Sequence, residues 1–540
     1  MSTDFEEKGM GIKPYVSDGD FSEDPELPPN LQAVAHKGFL GTLRRYEDLM
    51  DKKIGVEAHG PARMLPENRD PAYSKWSNQI VMALMWASGT MNLSCFTTGF
   101  LGWELGLSLS QTIWITIVAS FVGSAVTGWC ATMGPATGLR QVSISRYSMG
   151  WWPAKIIAFL NVIEQVGWSS VGCITGGLAL SAVSDGKINL VLGVVIVAVI
   201  GLIFSFVGLR AVLSYEKYAW AVFFIIFMVM YGELAPHASL SSPATATGLT
   251  NKGACLTLFA VVYGSSNSWC SIVSDYYCQY PVNTSKFKVW ILTTCGIAIP
   301  TCIGMVLGCC VGSTMGINQE WADIYDDQGV GWLLQHILYP RGFAKFLLVI
   351  LVMSGIGMNC IAIYSGALSI QQFAQPLSLI PRFFWTLIVF VAILLIGIAG
   401  RNHLLLVLQN FLSLLGYWNT SFFVILFTEH YWFRDGWNGF HKYDLTAWNT
   451  ASKMPVGVAG FAAFAAGIAG AVIGMDETWW VGPIARKIGG YGGDVGNELA
   501  LVFTLVTKQR VSYKNIALPS YYSESSVSAV VGFSSTSGTL

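Results

Sequence analysis

The sequence predicts an all-α polytopic membrane protein with about 12 transmembrane helices. Three observations carry that prediction. Of 540 residues, 53% are hydrophobic and only 12% are charged, against roughly 25% charged in ordinary soluble domains. The charge is also unevenly placed: residues 1–76 hold 24 of the 63 formal charges. The rest of the chain falls into continuous apolar runs near the length of about 20 residues that crosses the hydrocarbon layer. The runs are unbroken rather than alternating, which excludes a transmembrane strand barrel. This composition excludes a soluble enzyme, a disordered protein and a nucleic-acid binder. A formal net charge of −1 gives no reason to expect a polyanionic partner.

The apolar runs lie at 77–100, 108–133, 153–181, 188–208, 213–232, 254–274, 288–314, 343–370, 381–399, 402–428, 455–475 and 492–507. The last is short for a full crossing. No apolar run precedes residue 77, so the N-terminal arm is expected in the cytosol rather than behind a signal peptide. With that orientation, ten Lys and Arg fall in the inside loops, among them Arg140, Arg146, Lys286 and Arg434. The outside loops hold six: Lys187, Lys252, Arg341, Arg401, Arg486 and Lys487. The bias follows the positive-inside rule, and it puts the C-terminal tail inside as well.

Helices in lipid must satisfy their backbone internally, so a polar, Gly-rich interruption at mid-depth is informative. Span 1 carries Ser88-Gly89-Thr90-Met91-Asn92, and span 6 carries Gly264-Ser265-Ser266-Asn267-Ser268-Trp269. Five spans separate them, so the two run in opposite directions. That is the pattern of an inverted five-helix repeat whose two discontinuous helices line a site at the midplane. Small-residue helix packing is the simpler alternative. The organisation expected is a cytosolic arm at 1–76, a first repeat at 77–232, an inverted second repeat at 254–428, two further helices at 455–507 and a disordered cytosolic tail at 508–540.

Buried amides are costly in lipid unless paired. Span 3 carries Asn161 and Gln165, four residues apart and therefore on one helical face, with Trp168 close by; span 8 carries Asn359. Each amide offers an acceptor and two donors, and an indole face can stack on a ring. The set suits a flat, neutral, polar ring; interhelical hydrogen bonding is the alternative for each residue taken alone. No Lys or Arg lies near the middle of a confident span, which disfavours a permanently anionic solute. Glu164 is the one acidic residue deep inside a confident span. Such groups are functional suspects by default, here as a proton carrier. Asp275 ends span 6 on the cytosolic side, as part of a gate or of a structural pair.

The remaining chemistry is sparse. Most of the eleven cysteines sit in apolar runs without a CxxC pair, and the seven histidines are scattered with no HExxH spacing. Neither a metal nor a cofactor is expected. No phosphate-cradling Gly loop of Walker type is present, which argues against an ATP-driven pump, and an enzyme would need acid, base or nucleophile clusters that are missing. Expected partners are therefore a small heterocycle and the lipid bilayer.

Several segments together resemble one family. They are Val56-Glu57-Ala58-His59-Gly60, GPATGLRQVSISRYSMGWW at 134–152, SDYYCQYP at 274–281, Trp321-Ala322-Asp323, GYWNTSFFVILFTEHYWFR at 416–434, YDLTAW at 443–448 and IGGYGGDVGNELA at 488–500. The chain resembles the nucleobase–cation symporter 1 family, in its fungal purine–cytosine permease branch, from about residue 55 to about 505. The resemblance implies twelve helices, a five-plus-five inverted repeat and alternating access. It further implies import of a nucleobase or related heterocycle, with H+ as coupling ion, at the plasma membrane. It places the substrate site on Ser88, Asn161, Gln165, Trp269 and Asn359.

Two stretches depart from the family's pattern. Related permeases look like Asn-Asn-Cys-Pro-Asn on helix 8, where this chain has Met358-Asn359-Cys360-Ile361-Ala362. On helix 1 Gly89-Thr90 stands where the branch looks like Ala-Asn. Each lost hydrogen bond is worth about 0.5–1.5 kcal/mol, so the ring recognised is expected to differ from cytosine. A vitamin B6-like pyridine is one alternative; a non-transporting nutrient receptor on a transporter scaffold is another.

Overall fold

A computed structural model describes Thr42 and residues 62–207, 209–240 and 244–516. The segment Val56–Gly60 and the tail from 517 lie outside the described residues. A helix or broken helix stands at each of the twelve apolar runs. Span 1 is α1 (Trp76–Thr90) and α2 (Leu93–Thr98), followed by the short α3 (Leu101–Glu104). Span 2 is α4 (Leu109–Ala131), which opens on a capping box: the Ser108 hydroxyl accepts from Gln111 N at 3.4 Å, and Gln111 Oε1 accepts from Ser108 N at 3.2 Å. That pairing satisfies two otherwise orphaned donors.

Two short helices, α5 (Met133–Thr137) and α6 (Gln141–Met149), join spans 2 and 3. Gly150 ends α6 at φ +100°, a conformation favouring glycine, and Pro153 opens α7 (Pro153–Val183), which is span 3. Then come α8 (Leu190–Val207), α9 (Leu209–Leu234) and α10 (Gly248–Asn267). A 3-10 turn at Ser268–Ser271 and α11 (Ser274–Tyr277) complete span 6. Span 7 is α12 (Lys286–Gly312), and the loop after it folds as α13 (Gln319–Gln328) and α14 (Val330–Ile337). Next are α15 (Arg341–Phe373), the short α16 (Gln375–Ser378), α17 (Arg382–Gly400), α18 (Leu404–Phe433) and α19 (Val458–Gly474). A two-residue hairpin, β1 (Asp476–Glu477) with β2 (Trp480–Val481), precedes α20 (Gly496–Ile516).

Among the described residues, seven helices are individually long and apolar enough to cross a membrane, and the bent pair of span 1 adds an eighth. The helices at Leu190–Phe206 and Val458–Gly474 are apolar but shorter. The molecule is a multi-pass, helical membrane protein. α15 extends over 33 residues, about 50 Å at 1.5 Å per residue, and so outreaches the hydrocarbon layer.

Contacts between loops sort them into two sets. On one side, Arg63 donates to Thr137 O (3.0 Å) and Leu445 O (3.4 Å), Arg146 to Gln372 O (3.1 Å) and Trp448 O (3.2 Å), and Lys286 to Trp437 O. These join the segment before span 1 to loops 2–3, 6–7, 8–9 and 10–11. On the other side, Ala246 N donates to Gly106 O (3.1 Å), Arg341 to Asp185 (2.8 Å), Tyr339 N to Glu233 (2.8 Å) and Gly490 N to Thr250 (2.9 Å). These join loops 1–2, 3–4, 5–6, 7–8 and 11–12. The sorting is the one alternating traversal requires.

Inside, α7 packs along α15, α4 along α12, and α10 against α4 and α18. A Cβ at Gly264 of α10 would meet Leu412 O, so the close approach of spans 6 and 10 needs glycine there. α20 continues nine residues beyond the predicted end of span 12 at 507. Its Lys508 is 3% exposed and pairs with Glu429 (3.0 Å) and Ser148 O (3.0 Å), while Arg434 holds the same Glu429 at 3.3 Å. The charge of Lys508 is thus neutralised inside the bundle, which an apolar-run reading cannot register.

Candidate functional site

Span 1 breaks where the sequence indicates. α1 ends at Thr90, and α2 resumes at Leu93 after a 57° bend. One side chain serves both edges of the gap: Asn92 Oδ1 accepts from Cys95 N at 2.9 Å and its Nδ2 donates to Gly89 O at 3.0 Å. Span 6 differs slightly. The α-helix continues through the predicted interruption as far as Asn267 and gives way to the 3-10 turn only at Ser268. Thr127 of α4 supplies a donor to Ser266 O at 2.9 Å, and Trp168 Nε1 donates to the Ser268 hydroxyl at 3.3 Å. The weakened segment is held by neighbours rather than by its own backbone.

Around that turn the amides of span 3 form a network. Asn161 Oδ1 accepts from Gln165 Nε2 (3.1 Å) and from the Ser271 hydroxyl (2.9 Å). Asn161 Nδ2 donates to the Ser369 hydroxyl at 2.7 Å. Glu164 Oε2 accepts from Asn419 Nδ2 of α18 at 3.0 Å and from Ser271 at 3.5 Å. All of these side chains are buried. Beside them the Trp168 and Trp269 rings lie 15° from parallel with centroids 5.9 Å apart, and Trp86 of α1 meets Trp269 edge-on at 5.6 Å. Such offset and edge-to-face arrangements suit the ring quadrupoles.

Among the described residues, Gln165 Oε1, Glu164 Oε1 and the Ser88 hydroxyl are buried and have no hydrogen-bond partner. Buried polar atoms are almost always paired, so unpartnered acceptors on Glu164 and Gln165, inside the amide network, mark a place for polar chemistry. Asn161, Glu164, Gln165 and Trp269 are therefore brought together around Ser271. Ser88 lies on α1 two residues beyond Trp86, which touches Trp269.

Asn359 is placed differently. Its Nδ2 donates to Cys173 Sγ at 3.2 Å, and a Cβ at Gly172 would come within 2.8 Å of its Oδ1. It faces spans 3 and 4, not the indole pair. Met358 is the residue of span 8 that faces the break, with its sulfur 3.2 Å from Asn92 Nδ2. Ile361 Cδ1 lies 3.4 Å from where a Cβ on Gly89 would stand. The departures on helices 1 and 8 thus meet each other. Asp275 accepts from Gln141 N at 2.7 Å, and Gln141 Oε1 accepts from Ser274 N at 3.3 Å. This reciprocal pair ties the end of span 6 to the start of α6.

Asn419 was not anticipated. It sits in the run Trp418-Asn419-Thr420-Ser421-Phe422, and an amide at mid-span was the signal that could have found it. Among the described residues no group of three or more His, Cys, Asp and Glu side chains is arranged to hold a metal ion.

A helical membrane bundle with a kinked first span and a buried polar cluster is an architecture suited to a membrane transporter. The sequence profile described as permease for cytosine/purines, uracil, thiamine, allantoin matches residues 73–496. The chain is 33% identical over 491 residues to the purine–cytosine permease fcyB of Emericella nidulans, covering 90% of this chain and 93% of that one. It is 31% identical over 507 residues to the vitamin B6 transporter TPN1 of Saccharomyces cerevisiae, covering 84% and 87%. Its fold is similar to that of Mhp1, a nucleobase-cation-symport-1 family transporter solved in a closed conformation with bromovinylhydantoin bound. There the TM-score is 0.58 and the identity 17%, over 83% of this chain and 94% of that one. The protein belongs to the nucleobase–cation symporter 1 family, in its fungal purine–cytosine permease branch, and it is a permease rather than an enzyme.

Proposed function

We propose that the protein is a secondary active transporter that imports a neutral planar heterocycle of the nucleobase type by proton symport. The observation that carries this reading is the buried cluster of Asn161, Gln165, Glu164 and Asn419 beside the Trp168–Trp269 pair, with unpartnered acceptors on Gln165 and Glu164. A flat ring can lie against an indole face while its edge exchanges hydrogen bonds with amides. Glu164, within the network, is the proton carrier, and Ser88 adds a hydroxyl from the broken first span. The pairing of α7 with α15 and of α4 with α12 supports a five-plus-five repeat, since each pair is five spans apart. The two sets of loops support twelve crossings with both termini on one side, the Lys and Arg bias of the loops assigns that side to the cytosol, and residence in the plasma membrane follows from the import role.

A specific observation favours a pyridine of the vitamin B6 kind over cytosine. Span 8 presents the thioether of Met358 to the break and turns Asn359 toward spans 3 and 4. A site without that amide reads one ring edge less.

The test is uptake of radiolabelled compounds in a permease-null cell, with purines, pyrimidines and pyridine vitamins as competitors. Accumulation of at least one planar ring is expected, and Asn161→Ala should abolish it with surface expression intact. Binding without accumulation would point to a receptor instead, and chemical conversion to an enzyme.

A further inference from the structure

A crevice of about 260 Å³ opens where loop 2–3, the start of α7 and the end of α15 meet, and it shares no lining residue with the amide cluster. Its polar lining consists of Arg146, Lys155, Gln372 and Gln375, with the Trp151 and Trp152 rings beside them. No acidic residue lines it. Arg146 commits three of its five N–H donors, to Gln372 O, Trp448 O and Asn449 Oδ1, and lies over the Trp151 ring at 4.8 Å. No carboxylate pairs with it among the described residues. Burial holds its guanidinium at about 10, below the usual arginine value and still charged in the cytosol. Its charge also acts on Lys155, whose ammonium sits 4.2 Å over the Trp152 ring.

Gln372 is 3% exposed. Its Oε1 accepts from Ser143 at 3.3 Å, but its Nε2 has no acceptor among the described residues. Two uncompensated cations and one unpartnered buried amide donor therefore converge on one crevice, and a bound anion would answer all three. The rim identifies the source of that anion. Trp152, Phe159 and Phe373 are exposed at 62%, 55% and 37%, an apolar fringe such as faces acyl chains. Trp at a helix end marks the headgroup level, and basic pockets between helix ends receive lipid headgroups.

We propose that this crevice binds the phosphate of an anionic phospholipid from the cytosolic leaflet, gripping it with Arg146, Lys155 and Gln372 while Trp152 and Phe373 flank its acyl chains. The leaflet rests on the topology proposed above; the site itself does not depend on what the permease carries.

Native mass spectrometry of the purified, delipidated full chain tests it, with phosphatidylserine and phosphatidylcholine of matched acyl chains as probes. Surface expression equal to wild type and a monodisperse elution profile serve as folding controls. Lys155→Gln should lower phosphatidylserine retention about fivefold, the effect of one basic residue at a membrane surface, while Lys155→Arg retains it. Gln372→Glu, with Lys155 intact, should abolish retention by setting a like charge in the crevice. Phosphatidylcholine retention should not change. Wild-type phosphatidylserine retention in both Lys155→Gln and Gln372→Glu overturns the proposal, as does equal loss of both lipids. Full displacement of phosphatidylserine by millimolar inorganic phosphate would make this a soluble-anion site and overturn the lipid assignment.

Discussion

Asn419 of α18 donates to Glu164 of α7 across 3.0 Å, joining the tenth span to the acidic residue of the third. The bond binds a helix of the second half to the network around the span 6 turn. Asn419→Ala leaves that carboxyl oxygen only the Ser271 hydroxyl at 3.5 Å. Losing a partner of a buried charged or polar group costs about 1–3 kcal/mol, so initial uptake normalised to surface protein should fall roughly tenfold. Unchanged uptake would separate Asn419 from the transport site.

Glu164→Gln should behave differently. The amide oxygen can still accept from Asn419 and Ser271, so the network and substrate binding persist. What disappears is a group that can take and release a proton. Uptake by this variant should no longer respond to external pH or to a protonophore, whereas wild-type uptake collapses with the gradient. Should the variant remain sensitive to the protonophore, the coupling group lies elsewhere.

Met358 and Ile361 face the break in span 1 at Asn92 and Gly89. Met358→Asn with Ile361→Pro sets an amide against the Asn92 side chain and replaces the Ile361 side chain that lies over Gly89. Competition profiles should then move toward cytosine by about one hydrogen bond, roughly fivefold to tenfold in apparent affinity. An unaltered profile would mean that span 8 does not read the ring.

Glu477 of the hairpin between α19 and α20 predicts a pH effect on stability. Burial first, and the nearby Asp494 carboxyl second, push its carboxyl up to about 9. An unfolded Glu titrates near 4.3, so the native state holds this proton to higher pH than the unfolded chain. The group's contribution is fully present below about pH 4 and is lost as pH rises through its folded value. Thermal unfolding of the detergent-purified protein should therefore shift to lower temperature between about pH 5 and 9. Glu477→Gln should flatten that slope and melt higher than wild type at the alkaline end. A variant with the wild-type slope would locate the effect in other groups.

The sequence makes the helices legible because hydrocarbon demands uninterrupted apolar length, and each of the twelve runs carries a helix or a broken helix. The break in span 1 is legible for the same reason, since Gly89 and Asn92 interrupt an otherwise apolar stretch. Span 6 breaks four residues later than its Gly-Ser start suggests, because Thr127 and Gly264 fix where neighbours support the backbone, and those contacts are tertiary. Asn161 and Gln165 share one face by helical spacing alone. The direction of Asn359 is set by Gly172 and Gly201, which leave room for its side chain on the spans 3 and 4 side; spacing within span 8 carries no such information. Lys508 reads as the end of the membrane segment until Glu429 is seen opposite it.

That last pair bears on how far the chain can be trimmed. Lys508 and Arg434 divide a single carboxylate between them, and Lys508 also donates to the Ser148 carbonyl in the last turn of α6. A cut at 507, where the last apolar run ends, would keep that run of α20 yet pull out the rivet fastening it to α6. Any shortening that removes Lys508 is therefore expected to loosen α20 from α6 and α18.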